Sequence, residues 1–370
     1  MDPLGTTSSS RPIRRAGHRP AAASVQVIPV TGLPEIRPGD DLARLLVDAL
    51  HAPGGPGLAA GDVLCVSTKV VSKALGLVID RDDKQRAIRE QTVRLVARRR
   101  HDRVVTSIVQ TPHGAVMAAA GIDGSNAPDG LLLLPRDPDA EATRLRERLL
   151  AAAGDAPQEY GVLLTDTSSR IWRVGVGDIA LGAAGVASLQ DLRGTADADG
   201  RALAVTVRDL ADELAAAADL VKGKASAVPA AVVRGVADAL APAVPAAELN
   251  RLPPQDWFAR PSLESVWQAL GLAPEHEPIA RMSPEAADIR IARALEVALL
   301  PRDGEAAGAR ARLLGEHRIG ILPAEDSPRG WRAAGALAER LRTALRAEHD
   351  WSPLPEVELT FEQPSPEEPR

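Results

Sequence analysis

The chain has 370 residues, of which 45% are hydrophobic, so it can bury a substantial core and is long enough for two domains or one domain with an extension. Its formal net charge of −6 gives no global electrostatic case for binding nucleic acid. A single cysteine, Cys65, excludes a disulfide framework and a cysteine-rich metal site, and no apolar run is long enough to span a membrane. We therefore expect a cytoplasmic protein whose partners are small molecules or protein.

Along the chain, residues 1–24 are rich in Ser, Arg, Pro and Ala without periodicity, which predicts a disordered tail. Strand and helix patterns then alternate over residues 25–237, which predicts a mixed α/β (α+β) domain. The predicted strands are 25–30, 62–66, 104–109, 115–120, 161–164 and 230–233, and the predicted helices are 42–50, 82–100, 138–154 and 210–220.

The character of the sequence changes after Val236. Residues 238–261 are rich in Ala and Pro and read as a linker. Helical spacing over 263–272, 285–300 and 331–346 predicts a mainly helical C-terminal extension over residues 262–350. Residues 351–370 are acidic and proline-rich, which predicts a second disordered tail.

Two short polar segments follow predicted strands. The first contains Asp123 with Gly124, Ser125 and Asn126; taken alone, it is more typical of an ordinary turn. The second contains Asp166 and Thr167 at the end of a strand, where α/β sheets usually build their sites. Because carboxylate and hydroxyl oxygens suit a divalent cation, convergence of the two segments would form a phosphoryl-transfer or ligase site.

Basic residues near these segments are candidate phosphate contacts. Arg170 and Arg173 lie three residues apart and suit a phosphate or a substrate carboxylate, although a surface loop with two exposed arginines is an equal alternative. Only five lysines occur, and four of them form two clusters, Lys69 with Lys73 and Lys222 with Lys224. Clustered lysines in an arginine-rich chain suggest phosphate contact. For the second cluster, simple complementation of a helix dipole is the favoured interpretation.

No familiar nucleotide-binding or hydrolase motif accompanies these segments. The lysine cluster lacks the GxxxxGK[ST] loop of a P-loop, and no GxGxxG follows a strand. The seven histidines show no HExxH spacing. Conventional NTPase, Rossmann and hydrolase interpretations therefore receive little support.

In order along the chain, these segments resemble the gamma-glutamyl ligase family of coenzyme F420 biosynthesis, over about residues 25–237. Eight ordered matches make the resemblance more specific than any single motif. They are Ile28 to Glu35, Ser67 to Lys73, Ala120 to Asn126, Thr165 to Arg173, Asp191 to Gly194, Ala211 to Leu214, Val221 to Lys224 and Val233 to Gly235.

The resemblance implies a ligase that adds L-glutamate to F420-0, using GTP and Mg²⁺ or Mn²⁺, in a fold of the family's own that is usually a homodimer. By position in the family's motifs, Asp123, Asp166 and Thr167 are the implied metal-binding residues, and Asp123, Asp166 and Lys73 are the implied catalytic residues. The implied nucleotide-binding residues are Leu33, Pro34, Glu35, Ile36, Thr68, Lys73 and Asn126.

Three positions depart from the family pattern, namely Leu75, Gln110 and Ser169. The first two lack a charge that the family commonly has, so they bear on which acceptor the site takes. No segment after Val236 matches a flavin-binding domain, so we expect no bound FMN. Two alternatives stay open: an amide ligase with another acceptor, and a non-catalytic paralogue that binds nucleotide or F420.

Overall fold

The computed structural model describes residues 24–124, 127, 130–152, 159–170, 173–224, 226–251, 263–281, 285–300 and 308–363. The predicted tail at 1–24 lies outside these residues except for Ser24. The strands are β1 (Gln26–Val30), β2 (Val63–Ser67), β3 (Val78–Ile79), β4 (Arg94–His101), β5 (Val104–Gln110), β6 (Val116–Ala118), β7 (Leu131–Leu132), β8 (Gly161–Ser169), β9 (Val176–Ala184), β10 (Leu189–Asp191), β11 (Val207–Asp209), β12 (Ala230–Arg234), β13 (Ala280–Arg281), β14 (Ala309–Gly315), β15 (Arg318–Pro323) and β16 (Glu358–Phe361). The helices are α1 (Leu42–His51), α2 (Thr68–Ala74), α3 (Lys84–Glu90), α4 (Pro138–Ala152), α5 (Leu210–Lys222), α6 (Leu263–Ala269), α7 (Ala287–Leu299) and α8 (Pro328–Trp351).

These elements divide into two compact units. The first comprises residues 1–92 and 111–252, and the second comprises residues 93–110 and 253–370. The mixed α/β fold class is confirmed. Among the described residues, no helix combines the length and apolar character that crossing a membrane requires.

The first unit is built on a five-stranded mixed sheet with the order β1-β12-β2-β8-β9. Only β2 and β8 are parallel neighbours, while the other pairs are antiparallel. Both faces of the sheet are covered by helices. Successive side chains of a strand point to opposite faces, so each strand contributes to both cores. Leu64 and Val66 pack in the core formed with α1, α2 and α4, whereas Val63 and Cys65 pack in the core formed with α5.

Capping residues set the starts of the helices around this sheet. Asp41 caps α1 and Asp209 caps α5, each by accepting a bond from a backbone N–H three residues further on. At α4, Asp137 accepts from the N–H of Ala140, and Pro138 takes the first helical position as its sequence predicts.

One predicted helix, residues 82–100, is wrong beyond Glu90. The helix α3 ends there, and residues 94–101 instead form β4, which pairs antiparallel with β5. The Thr92 hydroxyl donates to the carbonyl of Ile88, which competes with continuation of the helix. Charged spacing had favoured a helix here, but pairing with the neighbouring strand decided the structure.

The second unit contains the three predicted helices and also a sheet that the sequence analysis did not predict. In this sheet β14 pairs antiparallel with β15, and β15 pairs parallel with β16. Buried residues of α7, α8 and β15 form one core, including Ile291, Leu341 and Ile319. Because β16 covers residues 358–361, the predicted disordered tail at 351–370 is wrong for this part.

The described part of the predicted linker, residues 238–251, packs with the first unit rather than standing apart. Ala239 and Ala246 are buried in the same core as α5. The carboxylate of Asp139 accepts bonds from the backbone N–H groups of Ala246 and Ala247 at 2.8 and 3.0 Å. An Ala- and Pro-rich composition therefore marks an ordered connection here, held by core packing, by backbone bonds and by the Asp139 carboxylate.

Candidate functional site

A cavity of about 420 Å³ opens in the first unit at the carboxyl ends of the parallel strands β2 and β8. It brings together segments that lie far apart in the sequence. The lining residues are Leu33, Pro34, Glu35, Ile36, Ser67, Lys69, Val70, Lys73, Asp166, Thr167, Asp178, Asp219, Lys222, Gly223, Lys224, Ala227, Val228 and Pro229. The four lysines of both clusters therefore line one cavity.

Each of these lysines is held by a carboxylate. Lys69 forms an ion pair with Asp123, and Lys73 forms one with Glu35. The Nζ atom of Lys222 lies 2.6 Å from Oδ2 of Asp178, and that of Lys224 lies 3.3 Å from Oδ1 of Asp219. The four ammonium groups thus concentrate positive charge at the cavity, and the paired carboxylates balance it.

Asp166 and Asp123 approach each other near Lys69. Burial raises the pKa of Asp166 to about 6; the Lys69 charge lowers it, and the carboxylates of Asp178 and Asp123 raise it further. The Lys69 ammonium, which is ion-paired with Asp123 and acts on Asp166, therefore marks a position near both carboxylates where a cation is favoured.

The turn that leads into Asp123 has unusual backbone angles. Ala119 and Ala120 both have positive φ, 50° and 56°, before Gly121 at 70°. Left-handed angles cost a non-glycine residue roughly 1–2 kcal/mol. After the turn, the backbone N–H and carbonyl of Asp123 pair with Leu132 of β7. The strained turn therefore lies just before Asp123, a candidate metal-binding residue.

The donor set suits a divalent cation of the magnesium type. Two carboxylates, Asp123 and Asp166, and the hydroxyl of Thr167 offer oxygen ligands. The described residues hold no group of three or more His, Cys, Asp or Glu side chains arranged for a metal. Mg²⁺ is commonly held by only one or two carboxylates together with water and substrate phosphates, so the residues present fit such an ion.

Asp178 is a site residue that the sequence analysis missed. It lies on β9 opposite Thr167, is buried, and accepts bonds from Thr165 and Thr167 at 3.0 Å each. Burial raises the pKa of Asp178, but Lys222, Lys224 and the bond from Thr165 outweigh burial, so that its pKa is lowered. A lone carboxylate in the apolar strand VGDIALGAA was the available signal, since buried charges are rare unless paired.

Lys222 and Lys224 do more than complement a helix dipole. Lys222 is 3% exposed and also contacts the Thr165 hydroxyl at 2.5 Å. The Lys224 ammonium contacts the Thr167 hydroxyl. Burial lowers the pKa of Lys224, but Asp178 and Asp219 outweigh it, so that its pKa is raised and its charge is favoured.

Four other predicted site residues that the structure describes do not line the cavity, namely Thr68, Asp123, Arg170 and Arg173. Thr68 is fully buried, and its hydroxyl donates to the carbonyl of Thr165 at 3.0 Å. Arg170 donates to the carbonyl of Asp178 at 3.1 Å and lies 3.5 Å from Asp212, while Arg173 is exposed. Asn126 lies outside the described residues.

The three departures from the family pattern differ in setting. Leu75 is 48% exposed at the end of α2, and Ser169 is exposed at the end of β8. Gln110 belongs to the second unit, where its Oε1 accepts a bond from Nε of Arg94 at 3.2 Å. None of the three lines the cavity.

Comparison with known proteins shows the family of the chain. The family model described as F420-0:Gamma-glutamyl ligase matches residues 32–235, more than half of the chain. The coenzyme F420:L-glutamate ligase of Natronomonas pharaonis is 40% identical over 232 residues, covering 57% of this chain and 86% of that protein. The protein of the same name from Methanothermobacter thermautotrophicus is 38% identical over 231 residues, covering 57% and 89%. The chain belongs to the F420-0:gamma-glutamyl ligase family.

Proposed function

We propose that the protein is a GTP- and metal-dependent ligase that adds L-glutamate to F420-0 through an amide bond. One observation carries this proposal: four of the five lysines converge with Asp166 and Thr167 on a single cavity. Relatives named for this activity support the choice of substrates. We also propose that it acts in the cytoplasm as a homodimer, as the family resemblance implies.

In the proposed reaction, a carboxylate oxygen of F420-0 attacks the γ-phosphorus of GTP and GDP leaves. The glutamate amine then attacks the acyl carbon, phosphate leaves, and the amine gives up a proton to form the amide. The cavity's contribution is positioning and charge stabilisation, which are the main catalytic resources in phosphoryl transfer.

The residues divide the work between metal and phosphate. Asp123, Asp166 and Thr167 would hold a divalent cation, which neutralises phosphate charge when bound. Lys73 and Lys224 offer ammonium groups to the phosphates, and the segment from Leu33 to Ile36 forms an adjoining wall for the nucleotide.

The decisive experiment is an assay with GTP, Mn²⁺, L-glutamate and F420-0. We expect GDP and a product heavier by one glutamyl unit, measured by chromatography and mass spectrometry. Asp166→Asn should lower the rate by about 10²–10³-fold, the effect typical of removing one electrostatic contact to the reacting groups. Folded wild-type protein that forms neither GDP nor product would refute the proposal, whereas GDP formed only with another acceptor would support the alternative amide ligase.

A further inference from the structure

One buried carboxylate of the cavity, that of Asp178, contacts four of its neighbours. Both oxygens of Asp178 are used twice. Oδ2 accepts from Thr165 Oγ1 at 3.0 Å and from Lys222 Nζ at 2.6 Å. Oδ1 accepts from Thr167 Oγ1 at 3.0 Å and lies 3.4 Å from Lys224 Nζ. Both threonines of one motif and both lysines of another therefore meet at a single side chain.

This arrangement fixes the direction of the Thr167 hydroxyl. A hydroxyl has one hydrogen and two lone pairs, and an ionised carboxylate can only accept. Because the Thr167 hydrogen points to Asp178, the lone pairs of its oxygen point away from that carboxylate. One lone pair accepts from the Lys224 ammonium, and because Thr167 lines the cavity, the other can serve there as an acceptor or a metal ligand.

The two lysines differ in their access to a ligand. The Lys222 side chain is 4% exposed, and its ammonium is committed to Asp178 and Thr165. The Lys224 side chain is 59% exposed; its ammonium donates to the Thr167 hydroxyl and lies at longer range from two carboxylates, 3.4 Å from Asp178 and 3.3 Å from Asp219. Lys222 is thus the internal counter-ion of Asp178, whereas Lys224 can exchange a carboxylate for a phosphate.

We propose that Asp178 is the positioning residue of this site, which orients the Thr167 hydroxyl toward the metal and holds Lys224 toward the nucleotide phosphates. This inference rests on the proposed function. It assigns the phosphate contact to Lys224 and denies it to Lys222. The competing explanation is that Asp178 only neutralises the buried ammonium of Lys222.

A charge-matched double variant separates these two explanations. Asp178→Asn alone leaves the Lys222 ammonium buried without its counter-ion, so the protein would be destabilised under either explanation. Asp178→Asn combined with Lys222→Met removes both charges. We expect this double variant to fold but to bind Mn²⁺ 10–100-fold more weakly, the usual cost of losing a residue that orients a metal ligand.

Two measurements read out the effect without any catalytic turnover. Electron paramagnetic resonance of free Mn²⁺ gives the metal affinity, and calorimetry with GTP and saturating Mn²⁺ gives the nucleotide affinity. Lys224→Met should weaken GTP binding about tenfold or more, whereas Mn²⁺ should bind no more weakly than to wild type, because the ammonium that contacts the Thr167 hydroxyl is removed. Circular dichroism and the thermal midpoint establish that each variant is folded.

A matched control exists on the same sheet. Asp62 is fully buried and pairs with Arg234 at 2.6 Å, and neither residue lines the cavity. Asp62→Asn combined with Arg234→Met makes the same kind of change and should bind Mn²⁺ and GTP like wild type. Should the double variant at Asp178 not fold, Asp178→Glu retains the negative charge beside Lys222 while displacing the oxygens, and the same loss of affinity is expected.

The outcomes distinguish this inference from the function on which it rests. If wild-type protein binds neither Mn²⁺ nor GTP, the proposed function is refuted. If wild type binds both and the folded Asp178 variants bind them equally well, Asp178 is only a counter-ion and the inference is overturned. Equal GTP affinity in Lys224→Met would overturn the assignment of the phosphate contact.

Discussion

Each unit contains a buried carboxylate that several cationic side chains surround: lysines surround Asp178 in the first unit, and arginines surround Glu348 in the second. In the first unit, Asp178 is surrounded by two lysines and two threonine hydroxyls beside a cavity. In the second, Glu348 is 1% exposed and is bound by the guanidinium groups of Arg293, at 2.7 and 2.8 Å, and of Arg290, at 3.4 Å.

The type of cation distinguishes the structural cluster at Glu348 from the candidate functional cluster at Asp178. The Arg290 guanidinium also donates to backbone carbonyls at the end of α8, and Arg293 pairs with Glu285 as well. Planar arginine forks suit fixed, bidentate pairing, whereas lysine is a point charge on a flexible stem. We infer that arginine fixes the Glu348 cluster in place, as Arg234 fixes the buried Asp62 in the first unit, whereas lysine leaves the Asp178 cluster able to exchange partners.

The largest effect should come from breaking the arginine cluster. Glu348→Gln removes the carboxylate that the two buried guanidinium groups share, although Arg293 keeps Glu285, and should cost about 3–5 kcal/mol in free energy of unfolding, measured with urea. Glu339→Gln removes the exposed partner of Arg342 on the same helix and should change stability by less than about 1 kcal/mol. Equal stability of the two variants would contradict a locking role for Glu348.

The lysine side of the comparison is tested at Lys69. Its ammonium pairs with Asp123 and acts on Asp166, so it competes with any cation for the same carboxylates. Lys69→Met should therefore increase Mn²⁺ affinity in the absence of nucleotide about tenfold, equivalent to roughly 1.4 kcal/mol. Lys84→Met, which alters the lysine outside both clusters, is the control. Weaker Mn²⁺ binding in Lys69→Met would show that the lysine supports the ion instead.

His113, in the first unit, is a buried titratable side chain that stays neutral, in contrast to the charged clusters at Asp178 and Glu348. Burial lowers the pKa of His113 to about 4, although Asp139 raises it. Its Nε2 is buried and has no hydrogen-bond partner among the described residues. Because the unfolded chain takes up a proton below about pH 6.5 while the folded protein does not, stability falls as the pH drops from 6.5 toward 4.

This dependence on pH is measurable by comparing variants. From pH 6.5 to 5, His113 should cost wild type about 2 kcal/mol relative to His113→Gln in urea unfolding. Asp209 lines the same small cavity, and burial and Asp212 raise its pKa to about 6, so it acts in the opposite direction in both proteins. Parallel pH profiles for wild type and His113→Gln would contradict the assignment.

The smallest effect concerns the backbone. Among the described non-glycine residues, positive φ falls in the second unit on Asp102 between β4 and β5, and in the first on Asp238 and on alanines, which tolerate it less well than aspartate and include Ala227 at the cavity. Ala227 is exposed, so Ala227→Gly should stabilise the protein by about 0.5–1 kcal/mol in urea unfolding. A loss of stability would show that the alanine methyl makes a contact that outweighs the strain.

Local pattern predicted the elements whose signals are themselves local. The start of α4 follows from Asp137 and Pro138, and the buried strand β2 follows from its apolar run. The pattern was wrong at β4, since pairing with β5 outweighed helical spacing. It missed β14 to β16, whose short alternating segments depend on partners distant in the sequence.

The site shows the same limit. Asp166 and Thr167 were found because a polar motif follows the apolar run 161–164, although the strand β8 continues through them to Ser169; the lysine clusters were found because lysine is rare in this chain. Asp178 was missed because its meaning comes from the register of β9 against β8, which sets it opposite Thr167. Its bonds to Lys222 and Lys224 then join segments more than 40 residues apart.

The reactivity of the Cys65 thiol reports on local opening of the sheet at this site. The thiol lies in the sheet beneath the charged cluster, and burial raises its pKa to about 12, with Lys222 lowering it and Asp178 raising it. Since only a thiolate reacts readily, modification of the chain's single cysteine requires the sheet to open locally. The rate at which a thiol reagent labels Cys65 therefore measures how often the sheet opens locally. A ligand that stabilises the residues around the cavity would lower this labelling rate.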